Sequence, residues 1–216
     1  MTDVPYGAWP SEITTELVTR AAAGISEVRV DTSDGSVWWS ESRPDEGGRV
    51  VVVRRDADGT VADRLPARRS ARTRVHEYGG AAWWVHDGTL FWNEWADQRI
   101  WRLDPGSDEP VAITPEPPIQ HGWRYADGVV GPGGQWIVCV RESHVGHGGQ
   151  PLDEARNEIV AVPTDGSEEP TVVVSGTDFV SSPRLSPDGS RLAWLVWDHP
   201  RMPWDGTELW GSEVRP

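Results

Sequence analysis

The sequence predicts an all-β chain folded as a partial β-propeller of about four blades, each a four-stranded antiparallel sheet, with the fourth incomplete. Four observations carry this expectation. Four tight-turn signals are each followed by an apolar run: Asp34-Gly35 before Val37-Trp38-Trp39, Asp87-Gly88 before Leu90-Phe91-Trp92, Gly133-Gly134 before Trp136 to Val140, and Asp188-Gly189 before Leu192 to Trp197. The turn glycines lie 53, 46 and 55 residues apart, near the repeat of about 40–50 residues that propeller blades show. The central runs Val50 to Val53, Trp136 to Val140 and Leu192 to Trp197 do not alternate apolar with polar. An unbroken apolar strand is covered on both faces, whereas a two-sheet sandwich predicts clean alternation. Finally, 23 Gly and 18 Pro separate short segments, as many turns require.

In chain order, residues 1–24 form a lead-in, in which Pro10-Ser11 is expected to start a short helix. Ser11 would be its N-cap, and Ile13 and Leu17 would share one face. The partial propeller occupies 25–216. Its first blade (about 25–66) has strands at Val28–Val30, Val37–Ser42, Val50–Arg55 and Val61–Leu65. The second (79–114) has them at Ala82–Val85, Thr89–Asn93, Arg99–Leu103 and Val111–Thr114. The third (125–175) has Gly128–Val130, Trp136–Arg141, Glu158–Val162 and Thr171–Val174. The fourth (182–216) has Pro183–Leu185, Arg191–Trp197 and Glu208–Val214, with no fourth strand before Pro216. The two open ends of such an arc are expected to favour self-association, because an uncovered edge strand is a template for pairing.

Composition narrows the chemistry. The formal charge is −14, from 34 acids and 20 bases, and every base is Arg. With no Lys, a Schiff-base or Walker lysine is excluded, and net acidity argues against a nucleic-acid partner. No run is long enough to span a bilayer. Residues 1–9 lack the basic and apolar regions of a secretory signal, and Cys139 is alone, so a cytoplasmic location is expected. Arg64, Arg68, Arg69, Arg72 and Arg74 form a local basic stretch that reads as a solvated loop or a contact with an acidic neighbouring domain, with an anion patch as the alternative.

Motifs for catalysis are missing. No Gly-x-Ser-x-Gly occurs, and the Gly-Ser pairs follow Asp and read as turn exits. His144, Gly146, His147, Gly148 and Gly149 read as a flexible connector. A metal site there would need further ligands, for which Glu142 and Asp153 are generic candidates, and an oxyanion loop should follow a parallel strand. Asp56-x-Asp58-Gly59 lacks the third acid and closing Glu of a calcium loop and reads as a hairpin turn. No catalytic, cofactor or metal residues are therefore assigned. Two aromatic and charged loops stand out as substrate-facing or domain-interface candidates. One carries Arg74, His76, Glu77 and Tyr78, and the other Trp197, Asp198, His199, Trp204 and Asp205. The alternative is that the tryptophans only cover a blade edge.

The strings Arg74 to Gly80 and Trp197 to Thr207, with Asp97-Gln98-Arg99, Arg124 to Gly128, Asn157 to Val162 and Ser181 to Gly189, resemble the propeller of bacterial acylaminoacyl-peptidase-like (dipeptidyl aminopeptidase-like) enzymes of the prolyl oligopeptidase family. The resemblance runs from Tyr6 to Trp210. It implies a serine peptidase with an N-terminal propeller, usually seven-bladed, that restricts access to short peptides, and a C-terminal α/β hydrolase domain carrying the triad. None of the triad maps onto this chain, so the hydrolase domain is the expected partner. The competing expectations are a propeller binding module without enzymatic history, as in periplasmic scaffold proteins, and a tryptophan-rich sugar-binding propeller.

Overall fold

A two-residue turn with both φ values positive matches the twist of a hairpin, and Asp87-Gly88 supplies one (φ 48° and 75°). It closes β5 (Trp83–His86) onto β6 (Thr89–Asn93), with His86 opposite Thr89. Gly35, Gly134 and Gly189 hold positive φ at the corresponding turns. The carboxylates of Asp34 and Asp188 each accept the amide two residues on, from Ser36 and Ser190. The computed structural model describes residues 5, 7–15, 17 and 22–214.

Each turn feeds a simple meander. The first sheet orders β1 (Gly24–Val30), β2 (Val37–Arg43), β3 (Arg49–Arg55) and β4 (Val61–Asp63). The second continues β5 and β6 with β7 (Ile100–Leu103) and β8 (Val111–Ala112). The third comprises β9 (Trp123–Val130), β10 (Trp136–Val145), β11 (Pro151–Pro163) and β12 (Thr171–Val174). The fourth has three strands, β13 (Phe179–Leu185), β14 (Arg191–Trp197) and β15 (Glu208–Glu213). All pairings are antiparallel. The chain is thus an all-β, four-bladed propeller arc.

The unbroken apolar strands owe their composition to the stacking of these sheets. On β10, Ile137 and Cys139 join Trp84, Phe91 and Ile100 of the second blade, while Val138 and Val140 join Leu192, Trp194 and Val196 of the fourth. On β5, Trp83 packs toward the first blade, with Trp38 and Val51 to Val53, and Trp84 toward the third. Alternate side chains point to opposite faces, so a strand between two neighbours needs apolar residues at every position. Gly128 belongs to the same logic. A Cβ there would sit 2.4 Å from the Trp84 ring, so the glycine lets the indole lie against the backbone of β9. Three buried clusters join consecutive blades, and none among the described residues joins the first to the fourth.

Buried carboxylates pin the blades at their ends. Asp31 accepts the Gly88 amide of the next blade (2.6 Å). Asp127 accepts Ala81 N–H (2.8 Å) with one oxygen and Ser182 N–H (3.0 Å) with the other, so one side chain of the third blade holds backbone on both sides of it. Glu27, Asp127 and Ser182 all have positive φ where their inner strands shift register, the mark of a β-bulge.

Several local expectations need correction; β1 and β13 each begin four residues earlier than expected, at Gly24 and Phe179, and β8 stops at Ala112 and not at Thr114. Thr14, and not Ser11, caps the helical residues of the lead-in: its hydroxyl accepts Leu17 N–H (3.0 Å), while Ser11 accepts Ile13 N–H. Thr15 and Leu17 are helical, and residues 16 and 18–21 lie outside the described residues. The strand expected to reach Leu65 stops at Asp63, although Leu65 is buried. The third blade is longer than expected at one end. β9 starts at Trp123, β10 runs to Val145 and β11 begins at Pro151, so His144 lies in a strand and the glycines form only a hairpin tip. The added residues mix polar side chains with scattered apolar ones (Trp123, Tyr125, Val145, Leu152) and form no unbroken apolar run; a ladder of backbone pairs such as Arg124 opposite Glu142 and Ser143 opposite Arg156 holds them.

Trp92 has no exposed surface and lies between the first two blades, whereas Trp204 is 75% exposed. Trp92→Ala should cost about 3–5 kcal/mol and Trp204→Ala less than about 0.5 kcal/mol, read as shifts in the urea midpoint.

Candidate functional site

In a meander blade the turn from first to second strand and that from third to fourth lie at one end. The turn from second to third strand and the crossover to the next blade lie at the other. The Asp-Gly turns therefore share one end of the disc. The 74–80 crossover, the 146–150 hairpin tip, the 175–178 crossover and the 198–207 loop share the opposite end. There the 74–80 crossover, the strands of the third-blade hairpin, the 175–178 crossover and His199 line an open cleft of about 720 Å³. His76 and Glu77 line it from the first crossover, Glu142, His144 and Asn157 from the third-blade hairpin, and Asp178, Phe179 and His199 from the fourth blade.

The two candidate loops meet through an aromatic cluster. The His76 ring lies 5.6 Å from Tyr78, 5.6 Å from Phe179 and 5.4 Å from Trp197. Phe179 stacks on Trp197 (5.3 Å, 7° between planes) and meets His199 edge-on at 4.9 Å. Such edge and offset contacts suit the ring quadrupoles. The 198–199 turn is locked to the crossover beside it, because Asp198 accepts Asp178 N–H (2.7 Å) and Asp178 accepts His199 N–H (2.9 Å). The His199-Pro200 peptide is cis.

Beside the aromatic residues is a charge network centred on the buried Glu142. Arg124 Nη1 donates to Glu77 (2.6 Å), to Glu142 (2.9 Å) and to the Arg74 carbonyl (3.1 Å). Glu142, 4% exposed, also takes His76 N–H (2.6 Å) and His144 Nε2 (2.7 Å). The 3-10 turn Val75–Glu77 holds His76 and Glu77 at φ 55° and 64°, a conformation that costs free energy in non-glycine residues and persists only where neighbours impose it. Glu142 and Arg124 impose it here. The Arg124 hydrogen bond holds the Glu77 carboxyl below its usual range, and burial lowers the His76 imidazole against the opposing pull of Glu142 and Asp127. His76 Nε2 and Asn157 Oδ1 are shielded from solvent and meet no hydrogen-bond partner in this geometry.

Glu77, Glu142 and His144 bring ligand atoms within 4.8 Å of one another. Arg124 bridges both carboxylates and supplies the positive charge that a cation would bring. His147 and Asp153 are exposed and stand apart from this group.

Of the expected site residues, His76, Glu77, Tyr78, Trp197, Asp198 and His199 are gathered around the cleft. Arg74 turns aside, its guanidinium 3.9 Å from the Trp95 ring. Trp204 projects into solvent and Asp205 accepts Met202 N–H within its own loop. Sequence reasoning missed Phe179, the ring joining the two loops, and gave no site role to Arg124 or Asn157. An arginine directly opposite Glu142 in a ladder is visible only once the register is known.

The comparisons with solved structures bear on this arrangement. A puromycin-hydrolyzing peptidase from Mycobacterium tuberculosis superimposes with a TM-score of 0.88 at 40% identity, over 98% of this chain and 33% of that one. A puromycin hydrolase does so at 0.86 and 38% identity, over 100% of this chain and 34% of that one. The chain is related to the propeller portion of prolyl-oligopeptidase-family peptidases. It spans about a third of the length of the peptidases it matches. A prolyl endopeptidase at 16% identity and a TM-score of 0.59 shares the fold of this propeller portion. No protein-family model and no curated protein sequence matches the chain.

Two measurements probe the site. Arg124→Ala takes the guanidinium from the buried Glu142, which keeps His76 N–H and His144, and should cost up to about 3 kcal/mol; Glu142→Gln in that background should recover part of the loss, giving a non-additive double-mutant cycle in urea. The lowered His76 pKa means that the unfolded chain binds the proton first as pH falls. The resulting stability is present above the ordinary value of 6.5 and is lost on acidification towards the folded-state pKa. Proton NMR should show His76 titrating below 6.5, and His76→Phe should flatten the change in melting temperature between pH 7 and 5.

Proposed function

We propose that this chain is the N-terminal propeller portion of a prolyl-oligopeptidase-type serine peptidase, gating substrate access and scaffolding an α/β hydrolase domain. The observation that carries the reading is sequence identity of 38–40% over essentially the whole chain to one third of each of two puromycin-hydrolysing enzymes. A segment this long with no Gly-x-Ser-x-Gly supplies walls and not a nucleophile. The rigid aromatic and charged cleft supports the same reading. Its loops come from three blades and lie at one end of the disc, where a second domain would rest across them.

In this role the chain contributes shape and electrostatics. The third-blade hairpin forms a wall whose Glu142 and Glu158 are held by Arg124 and Arg141. The aromatic cluster sets the width of the passage beside it. Selection of short peptides then follows from exclusion: a folded protein does not pass between the propeller and the nucleophile. The reaction itself, acyl transfer to a serine hydroxyl and hydrolysis of the acyl-enzyme, belongs to the hydrolase domain.

The test is reconstitution. Mixed with the separately expressed hydrolase portion of a puromycin-hydrolysing relative, the chain should form a stable complex in sedimentation. It should also raise the ratio of tripeptide hydrolysis to hydrolysis of a 30-residue unfolded peptide at least tenfold. Absence of a complex, or an unchanged ratio within a complex, refutes the reading.

A further inference from the structure

The fourth blade differs from the other three at its outer edge. Among the described residues each of those carries a fourth strand, β4, β8 or β12, whereas the fourth sheet is β13-β14-β15. Those fourth strands bring apolar side chains to the next blade: Leu65 just beyond β4, Ile113 just beyond β8 and Val174 in β12 all pack in cores shared by consecutive blades.

β15 therefore has a free edge, and its register says which groups face it. Val214 N–H donates to the Ser190 carbonyl (2.8 Å), and Trp210 and Ser212 stand opposite Trp194 and Leu192. Hydrogen bonding alternates along an antiparallel strand, so Leu209, Gly211 and Glu213 turn their N–H and C=O groups away from β14. All six residues of β15 are exposed. Along this edge runs an open groove of about 860 Å³ between the third and fourth blades. Trp136 and Val138 of β10, Leu192 and Trp194 of β14 and Trp210 of β15 line it. A row of unpaired backbone groups beside an apolar groove suits an extended segment, whose backbone pairs with the edge while alternate side chains enter the groove.

We infer that the β15 edge and this groove form a strand-docking site for an extended segment with apolar residues at alternate positions, supplied by the part of the parent peptidase that this chain does not span. The inference rests on the peptidase reading above. Two observations name the occupant: the other three blades hold such a strand at the equivalent place, and about two thirds of each puromycin-hydrolysing relative lies outside the superimposed portion. The 198–207 loop joins β14 to β15, so a strand on β15 also braces the loop that brings His199 to the cleft.

The probe is a synthetic peptide of about twenty residues, enough for a turn and one strand, taken from the Mycobacterium tuberculosis relative where it continues beyond the superimposed portion. Titrated into the full chain, it should bind one to one and slow hydrogen exchange at the Leu209, Gly211 and Glu213 amides, read by NMR, and not along β4. Gly211→Pro removes an outward N–H at an edge, where proline is tolerated, and should weaken binding about tenfold. Trp204→Ala, outside the groove, should leave it unchanged. Circular dichroism checks the fold of both variants; if Gly211→Pro does not fold, the exchange pattern of the parent chain decides. Absence of binding, protection at another edge, or full affinity in folded Gly211→Pro each overturns the assignment. So does protection of the same amides that rises with chain concentration in the absence of peptide, because the occupant is then a second copy. Any of these alongside a successful reconstitution removes only the strand site, whereas peptide binding with a failed reconstitution keeps the site and removes the gating role.

Discussion

A sheet with two apolar faces has to be sandwiched, and the rest of this structure depends on that requirement. The middle strands of the second and third blades send alternate side chains into different cores, so neither blade is stable as an isolated sheet. Stacking satisfies both faces only if successive sheets fan about an axis, and the natural twist of each sheet makes a fan and not a flat pile. Cys139 shows how complete the burial is. It lies between blades with no exposed surface, and desolvation raises its thiol pKa far above the ordinary value, so it packs as a small apolar side chain.

The polar groups follow from the same stacking. Where blades meet, backbone amides at bulges and crossovers lose water and need acceptors. Asp31 and Asp127 provide them across blade boundaries. Glu142 does so for the strained turn at His76. The candidate site is the most elaborate of these junctions. There a crossover, an extended hairpin and the next blade's first strand converge, and one half-buried arginine bridges the two acids that converge with them. At this junction two residues of positive φ, a buried carboxylate and the unpartnered His76 Nε2 and Asn157 Oδ1 come together, features that each cost stability.

The two loops singled out by their aromatic and charged residues do meet, and His76, Tyr78, Trp197 and His199 share a cluster. Their composition was legible because loops seldom carry so many rings. Their meeting point, Phe179, was not, since an isolated Phe at the start of a strand looks like any core residue. Arg124 and Glu142 were equally opaque, as they are ordinary polar positions until the register sets them side by side. Arg74 shows the converse: it belongs to a conspicuous string yet stacks on Trp95, outside the cleft.

The fifteen strands among the described residues fall where strands were expected, and the clearest of them were readable because hairpin turns demand glycine at positive φ and a doubly covered strand demands apolar residues at successive positions. Both are local demands, written within a few residues of one another. The polar extension of the third-blade hairpin, the capping residue of the lead-in and the composition of the cleft were decided by tertiary structure. Each depends on partners distant in the chain, such as the 66 residues between His76 and Glu142, and no local pattern records which distant polar group will arrive to satisfy a buried one.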